Sequence, residues 1–422
     1  MFLFSVFYNI VLCVLSIILF PFILVAFLIK PKFRAGFFEK LGLYKFKTNN
    51  KYTIAFHAVS VGEVNAVENL VKRTRQEFPE ANIVLTTTTR TGQEIANKKL
   101  KNVVDIVTYF PYDFAFSVNS FLNKVQPDVI LIAETEIWPD FVYFANKKNI
   151  PTYIVNGRIS PHSYSGYKKF SFFFKHVLNL YTGILMQTDG DAKRIIDIGA
   201  DAKKVKVMGN LKFDIEPVIN QQQITKLGDE LGLFGRKLII AASTHKGEDE
   251  IVLSAYEKVK EEFPDTKLML VPRHPERYSQ VETLLDESPF LYGKRSGHNT
   301  FAENDILMLD TMGELMKMFS VCHFAFIGGS FSNTGGHNPL EANIWKKPVL
   351  SGPCVFNFKD IYNFLTQSNA AKIVNSEEEL AKEMKKLICD CEYYNLAADD
   401  AEKVFETNRG AIDRVIYTIK NK

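Results

Sequence analysis

Short apolar runs alternate with helix-length segments along nearly the whole chain, and this rhythm restricts the fold more than any single motif. Residues 53–59, 83–88, 103–109, 128–133, 152–156, 183–187 and 205–208 read as strands. The rhythm resumes at 237–243, 267–271, 306–309, 323–327 and 348–350. Strands that are apolar throughout and separated by helices build parallel sheets covered on both faces. Between Asp214 and Gly228 the apolar runs stop, and Pro217, Asn220 and three successive glutamines mark a linker. The expected fold is therefore α/β, with two doubly wound Rossmann-like domains over residues 30–216 and 217–422. A ligand-binding cleft is expected between the C-terminal ends of their strands.

The first 29 residues carry no charge and are mostly Phe, Leu, Ile and Val. A helix of that length rises roughly 43 Å, enough to cross a bilayer, and Pro21 is expected to kink it. No positive charge precedes the run, as it would in a cleaved signal peptide. Lys30, Lys32, Arg34 and Lys40 follow it, which places the body of the protein in the cytoplasm by the positive-inside rule. The segment lacks a polar face, which argues against a helix lying flat in the interface. Residues 1–29 are expected to form a single-pass anchor.

With 51 basic against 48 acidic side chains there is no domain-wide positive excess, so no nucleic-acid partner is expected. The five cysteines are odd in number and match no zinc framework. They read as free thiols in a reducing compartment.

Polar residues crowd the ends of the strands, where open α/β sheets place their chemistry. Gly328 to Ala342 forms a glycine-rich turn after one apolar run. Asn338 is expected there as N-cap, Pro339 at the first helical position and Glu341 at the third. Such a turn reads as a backbone-lined site for a phosphorylated ligand, or as a tight loop with a capping box. Its spacing is neither GxGxxG nor a Walker loop. Ser60-Val61-Gly62-Glu63 follows the first strand. Glu63 is either a capping partner of Ser60 or a general base. Glu134 and Glu136 follow another strand, and like charges so close would raise one pKa. Arg158 and Lys212 each place a cation after a strand, suited to a leaving phosphate or to a surface ion pair. In the second half, Ser243 to Glu248, Pro272-Arg273 and Thr311 to Leu315 occupy equivalent positions. No His-x-x-x-His or GxSxG is present, so metal hydrolysis and serine-esterase chemistry lack support.

Taken together, the strings at 57–63, 133–139, 156–160, 209–214 and 338–342 resemble those of 3-deoxy-D-manno-octulosonic acid (Kdo) transferases. The resemblance covers essentially the whole chain, and the set of strings is specific where each alone is not. It implies a GT-B glycosyltransferase at the inner membrane of a Gram-negative cell. That enzyme would move Kdo from CMP-Kdo to the lipid A precursor, lipid IVA, by an inverting transfer, with no cofactor and no metal. Carried onto this sequence, Glu63 matches the catalytic base, and Glu134 and Lys212 match residues that stabilise the transition state. Pro272, Arg273, Gly313, Glu314, Leu315, Asn338, Pro339, Leu340 and Glu341 match the CMP-binding segments. The basic, aromatic stretch at 32–40 suits lipid A phosphates, or serves as ordinary juxtamembrane charge. Two competing readings are a membrane-side transferase using a UDP-sugar and a tethered nucleotide-sugar scaffold.

Overall fold

Seven parallel strands form the first sheet: β1 (Thr53–His57), β2 (Asn82–Thr87), β3 (Ile106–Tyr109), β4 (Val129–Ala133), β5 (Thr152–Gly157), β6 (Gly183–Met186) and β7 (Val205–Val207). Their order is β3-β2-β1-β4-β5-β6-β7, so the winding reverses between β1 and β4, where Ile54 pairs with Val129. Every residue of these two strands is buried, which explains why they read as unbroken apolar runs. The strand period of two then divides the core. Ile54 and Phe56 enter one cluster with Val64, Val67 and Leu70, while Ala55 enters another with Phe110, Phe121 and Phe141. The computed structural model describes residues 2–30 and 33–421.

The second sheet is also parallel and seven-stranded: β8 (Leu238–Thr244), β9 (Lys267–Pro272), β10 (Tyr292–Lys294), β11 (Ile306–Met308), β12 (Phe324–Ile327), β13 (Val349–Ser351) and β14 (Ala371–Ile373). The order is β10-β11-β9-β8-β12-β13-β14, reversing between β8 and β12. The edge strands β10 and β14 were not expected from the sequence. Each has only three residues, including Lys294 or Lys372, so neither carries an apolar signal.

The chain divides into two units, Ile215–Thr407 and the remainder. The expected second domain, 217–422, therefore needs amendment at its end, because the segment from Asn408 returns to the first unit. There the helix Ala411–Lys420 buries Ala411, Ile412, Val415, Ile416 and Ile419 in the cluster around β1. Asp214 accepts the backbone N–H groups of Gly410 and Ile412, and Arg414 donates to the Met208 carbonyl. The expected linker is also partly helical. Gln221–Glu230 is a helix, started by a full capping box between Asn220 and Gln223.

Helix Phe2–Ile29 continues through Pro21, and its stretch Phe4–Ile29 is long and apolar enough to cross a membrane. It does carry a short polar stripe, contrary to expectation. Ser5 and Asn9 donate to the Asp140 carboxylate, Tyr8 donates to Asp113, and Asn9 accepts the Ala115 N–H. The following cations have separate fates. Arg34 caps the carbonyls of Phe27 and Leu28 at the helix end. Lys40 is buried with its ammonium 4.7 Å from the Tyr109 ring, and burial pushes the Lys40 pKa below its ordinary value. It is therefore no surface cation, and Lys32 lies outside the described residues.

Ile419→Ala should destabilise the first unit by about 2–4 kcal/mol in denaturant unfolding in detergent. Tyr417→Ala, at an exposed position two residues away on the other face of the helix, should stay within about 0.5 kcal/mol. Equal effects would mean that the C-terminal helix does not dock.

Candidate active site

Glu63 sits in the first turn of the helix Val61–Glu77, directly after β1, and its side chain is buried. Its carboxylate accepts the Val59 N–H at 2.7 Å and the Ser60 hydroxyl at 3.2 Å. Ser60 is the N-cap but makes no side-chain cap bond. The expected capping box is thus absent: Glu63 reaches one residue further back than the N-cap N–H, to Val59, and takes the Ser60 hydroxyl instead. Burial pushes the Glu63 pKa up to about 7 against the two hydrogen bonds, and the charges of Glu134 and Glu136 add to the rise.

Those two carboxylates follow β4, the neighbour of β1 at the reversal point. Glu134 adopts φ +54°, a left-handed conformation that costs a non-glycine residue of order 1 kcal/mol or more. Arg158 Nε lies 3.4 Å from Glu134 Oε2, so the predicted cation and carboxylate do meet. Burial, then the charge of Glu134, raises the Glu136 pKa.

Lys212 lies in the short turn Leu211–Phe213, which two asparagines fix. Asn156, at φ +56° in β5, accepts the Leu211 N–H at 3.0 Å, and Asn210 accepts the Lys212 N–H at 3.0 Å. Asn156 interrupts the β5–β6 register and so turns its side chain to this turn instead of the ladder. His57, from the same string as Glu63, is a core residue. Its ring stacks on Phe110 at 3.7 Å, and burial pushes its pKa down to about 3.

In the second unit the glycine-rich turn departs from expectation. Its amides already hold an anion, the buried carboxylate of Glu248, which accepts the N–H groups of Gly329, Ser330 and Phe331 at 2.6–2.8 Å. It also accepts the His245 N–H at 2.8 Å. The turn is therefore stapled from within, and these N–H groups are not offered to a phosphate. The sequence places Glu248 at the opening of a helix after a strand, but nothing in it shows that this carboxylate fills the glycine turn.

The helix after the turn is only Leu340–Asn343. Asn338 Oδ1 accepts the Leu340 N–H at 3.2 Å, and its amide reaches Glu341 Oε1 at 3.4 Å. Pro339, expected at the first helical position, is instead the N-cap residue. Burial raises the Glu341 pKa, opposed by Asn338 and by the charge of Arg273. Arg273 is exposed at the end of β9, its N–H bonded to the Thr244 carbonyl at 3.0 Å, and Pro272 closes that strand. Segments 272–273 and 338–341 are thus brought together. Gly313 has φ +83° with open space where a Cβ would stand, so a ligand can approach the backbone there. Glu314 is the N-cap residue of the short helix Leu315–Met318. Burial works against its ionisation, but Lys317 and Thr311 hold its pKa below the ordinary value.

No group of three or more His, Cys, Asp or Glu among the described residues is disposed to hold a metal ion. The Asp-x-Asp string Asp189-Gly190-Asp191, where the sequence reading had expected none, is structural. Asp191 accepts the Ile159 N–H at 2.9 Å and pairs with Arg194 at 3.2 Å.

Residues 35–215 match the family model for 3-deoxy-D-manno-octulosonic-acid transferase. Over 395 residues, 92% of each chain, the protein is 34% identical to the 3-deoxy-D-manno-octulosonic acid transferase of Haemophilus influenzae. The chain belongs to the Kdo transferase family. A Rickettsia bellii 3-deoxy-D-manno-octulosonic acid transferase is 29% identical over 90% of each chain. In fold, the UDP-GlcNAc 2-epimerase of Neisseria meningitidis superposes with a TM-score of 0.55 at 14% identity, covering 88% of this chain and all of that one. Two Rossmann-like units of the GT-B type and a glycosyltransferase activity follow from this membership.

The buried Glu63 has a stability signature. Its folded pKa lies above the unfolded value, so the folded state holds a proton that the unfolded state has released between about pH 4.5 and 7. Stability therefore falls as pH rises through that window, and the cost persists above it. Glu63→Gln, of the same shape, should be more stable than the native protein by about 3 kcal/mol at pH 8 and equal to it near pH 4. Denaturant unfolding at the two pH values checks this, and a variant that is no more stable at pH 8 would refute the buried-carboxyl reading.

Proposed function

We propose that this Kdo transferase moves Kdo from CMP-Kdo to a lipid A precursor, lipid IVA, with inversion, at the cytoplasmic face of the inner membrane. The observation that carries the reading is a buried carboxyl with a pKa of about 7 after the first strand, beside a second carboxylate held in a strained conformation. A general base works best with a pKa near the working pH. The acceptor hydroxyl gives its proton to Glu63 as its oxygen attacks the anomeric carbon of Kdo. The bond from that carbon to the phosphate oxygen breaks, and its electron pair leaves with CMP. Glu134, paired with Arg158, stabilises positive character at the sugar, and Lys212 offsets negative charge on the departing phosphate.

Pro272 and Arg273, Gly313 to Leu315, and Asn338 to Glu341 hold the CMP moiety. The exposed guanidinium of Arg273 and the accessible backbone at Gly313 support that assignment. A donor with one phosphate needs little charge neutralisation, so cationic side chains suffice. The apolar helix Phe2–Ile29 serves as anchor, and the cations after it set the cytoplasmic orientation.

Incubating lipid IVA with purified protein and CMP-Kdo should give products heavier by whole Kdo increments in mass spectrometry. CMP, and not UDP, should inhibit. Glu63→Gln should bind CMP-Kdo but transfer about 10²–10⁴-fold more slowly. Absence of any mass gain from folded protein, or inhibition by UDP alone, would overturn the assignment. A fully active Glu63→Gln would remove Glu63 as base.

A further inference from the structure

The reversal point of the second sheet carries a pair of side chains with no role in the reading above. His245 follows β8, and His337 closes the glycine turn after β12, the neighbour of β8. Their Nε2 atoms lie 2.9 Å apart, and the rings stack at 5.1 Å with an interplanar angle of 11°. Two neutral imidazoles at that distance share one proton, one nitrogen donating and the other accepting. The backbone is shaped to allow it. At Gly329, φ +70°, a Cβ would stand 3.0 Å from His337 Cδ2 and 3.5 Å from His245 Cδ2.

The surroundings are mostly cationic. The His274 ring meets His245 edge-on at 5.3 Å, Arg273 and Arg277 act on His245, and Arg273 acts on His337. Arg277 is committed to the buried carboxylate of Asp249. Glu248 is the nearby counter-charge to His245, but the turn amides already bind its carboxylate. Glu341, within reach of Arg273, and Glu276, 3.9 Å from His274 Nδ1, are further acidic groups on this side. Burial pushes the His337 pKa down to about 4, and Arg273, His245 and His274 add to that. Burial likewise lowers His245. At neutral pH the empty pair carries no charge. An arriving anion reverses the balance, since it offsets Arg273 and rewards a proton on the pair.

We propose that the His245–His337 pair takes up one proton from solvent when a nucleotide phosphate binds beside Arg273, and so matches the charge of the leaving phosphate. The proposal rests on the second unit being the CMP site. In the neutral pair only one ring has a proton on Nδ1, because the other carries its proton on the shared Nε2. The added proton gives both rings an Nδ1–H donor while the Nε2–H···Nε2 bond persists. No covalent step is involved. The two histidines are positioning residues whose charge follows the ligand.

Isothermal titration of CMP into the full-length protein in detergent at pH 7.5, in buffers of different ionisation enthalpy, counts the protons. Uptake of about one proton per CMP is expected, with affinity rising up to tenfold per pH unit as pH falls from 8 towards 7. Cytidine, which lacks the phosphate, should bind without uptake. His337→Gln and His245→Gln should each abolish the uptake and flatten the pH dependence. CMP binding with no linked proton in the native protein would overturn the proposal without recourse to a variant. The same uptake in both variants, or uptake with cytidine, would overturn it as well. Failure of CMP to bind at all would remove the CMP reading, and this proposal with it.

Discussion

A carboxyl group held out of water beside two others is the feature on which the first unit depends. The strand order reverses between β1 and β4, so the residues leaving those strands must face one another. Glu63 leaves one and Glu134 the other. Two hydrogen bonds to Glu63 do not repay the burial of its charge, and its proton affinity rises. The strained backbone of Glu134 is a second local cost. Both are tolerated because the sheet beneath is packed on both faces, one of them completed by the C-terminal helix. The site is thus destabilised locally and sustained by a core that extends to the end of the chain.

The second unit uses the same sheet logic with the opposite electrostatics. Its reversal point also juxtaposes two loops, but the backbone amides of one are spent on Glu248 from the other. That internal staple fixes the glycine turn and leaves recognition of an anion to side chains. Arg273 and the imidazoles of His245 and His337 are the groups at hand. One unit therefore raises the proton affinity of an acid, while the other lowers that of a pair of imidazoles.

Much of this was legible in the chain because parallel strands buried on both faces leave continuous apolar runs, and polar clusters at their ends mark the site. Glu63, Glu134, Lys212 and Arg273 stood out for that reason. What escaped reading depends on three-dimensional partners. Nothing in the Gly328–Gly336 turn states that its N–H groups are already taken. Lys40 follows an apolar run like any juxtamembrane lysine, yet folds under Tyr109. The amphipathic pattern of 411–420 announces a helix but not which core receives it. Edge strands such as Tyr292–Lys294 are too short and polar to register. The proton affinity of Glu63 comes first from its burial and then from Glu134 and Glu136 near it in space, neither of which spacing alone supplies.

The central claim is that the buried carboxyl of Glu63 is the base. Its most direct test is the pH dependence of kcat/KM for the lipid acceptor at saturating CMP-Kdo. The account predicts a rate that rises with pH through a single ionisation near 7. A rising limb near 4.5, the ordinary carboxylate range, would show that the group accepting the proton is solvated and would contradict the account.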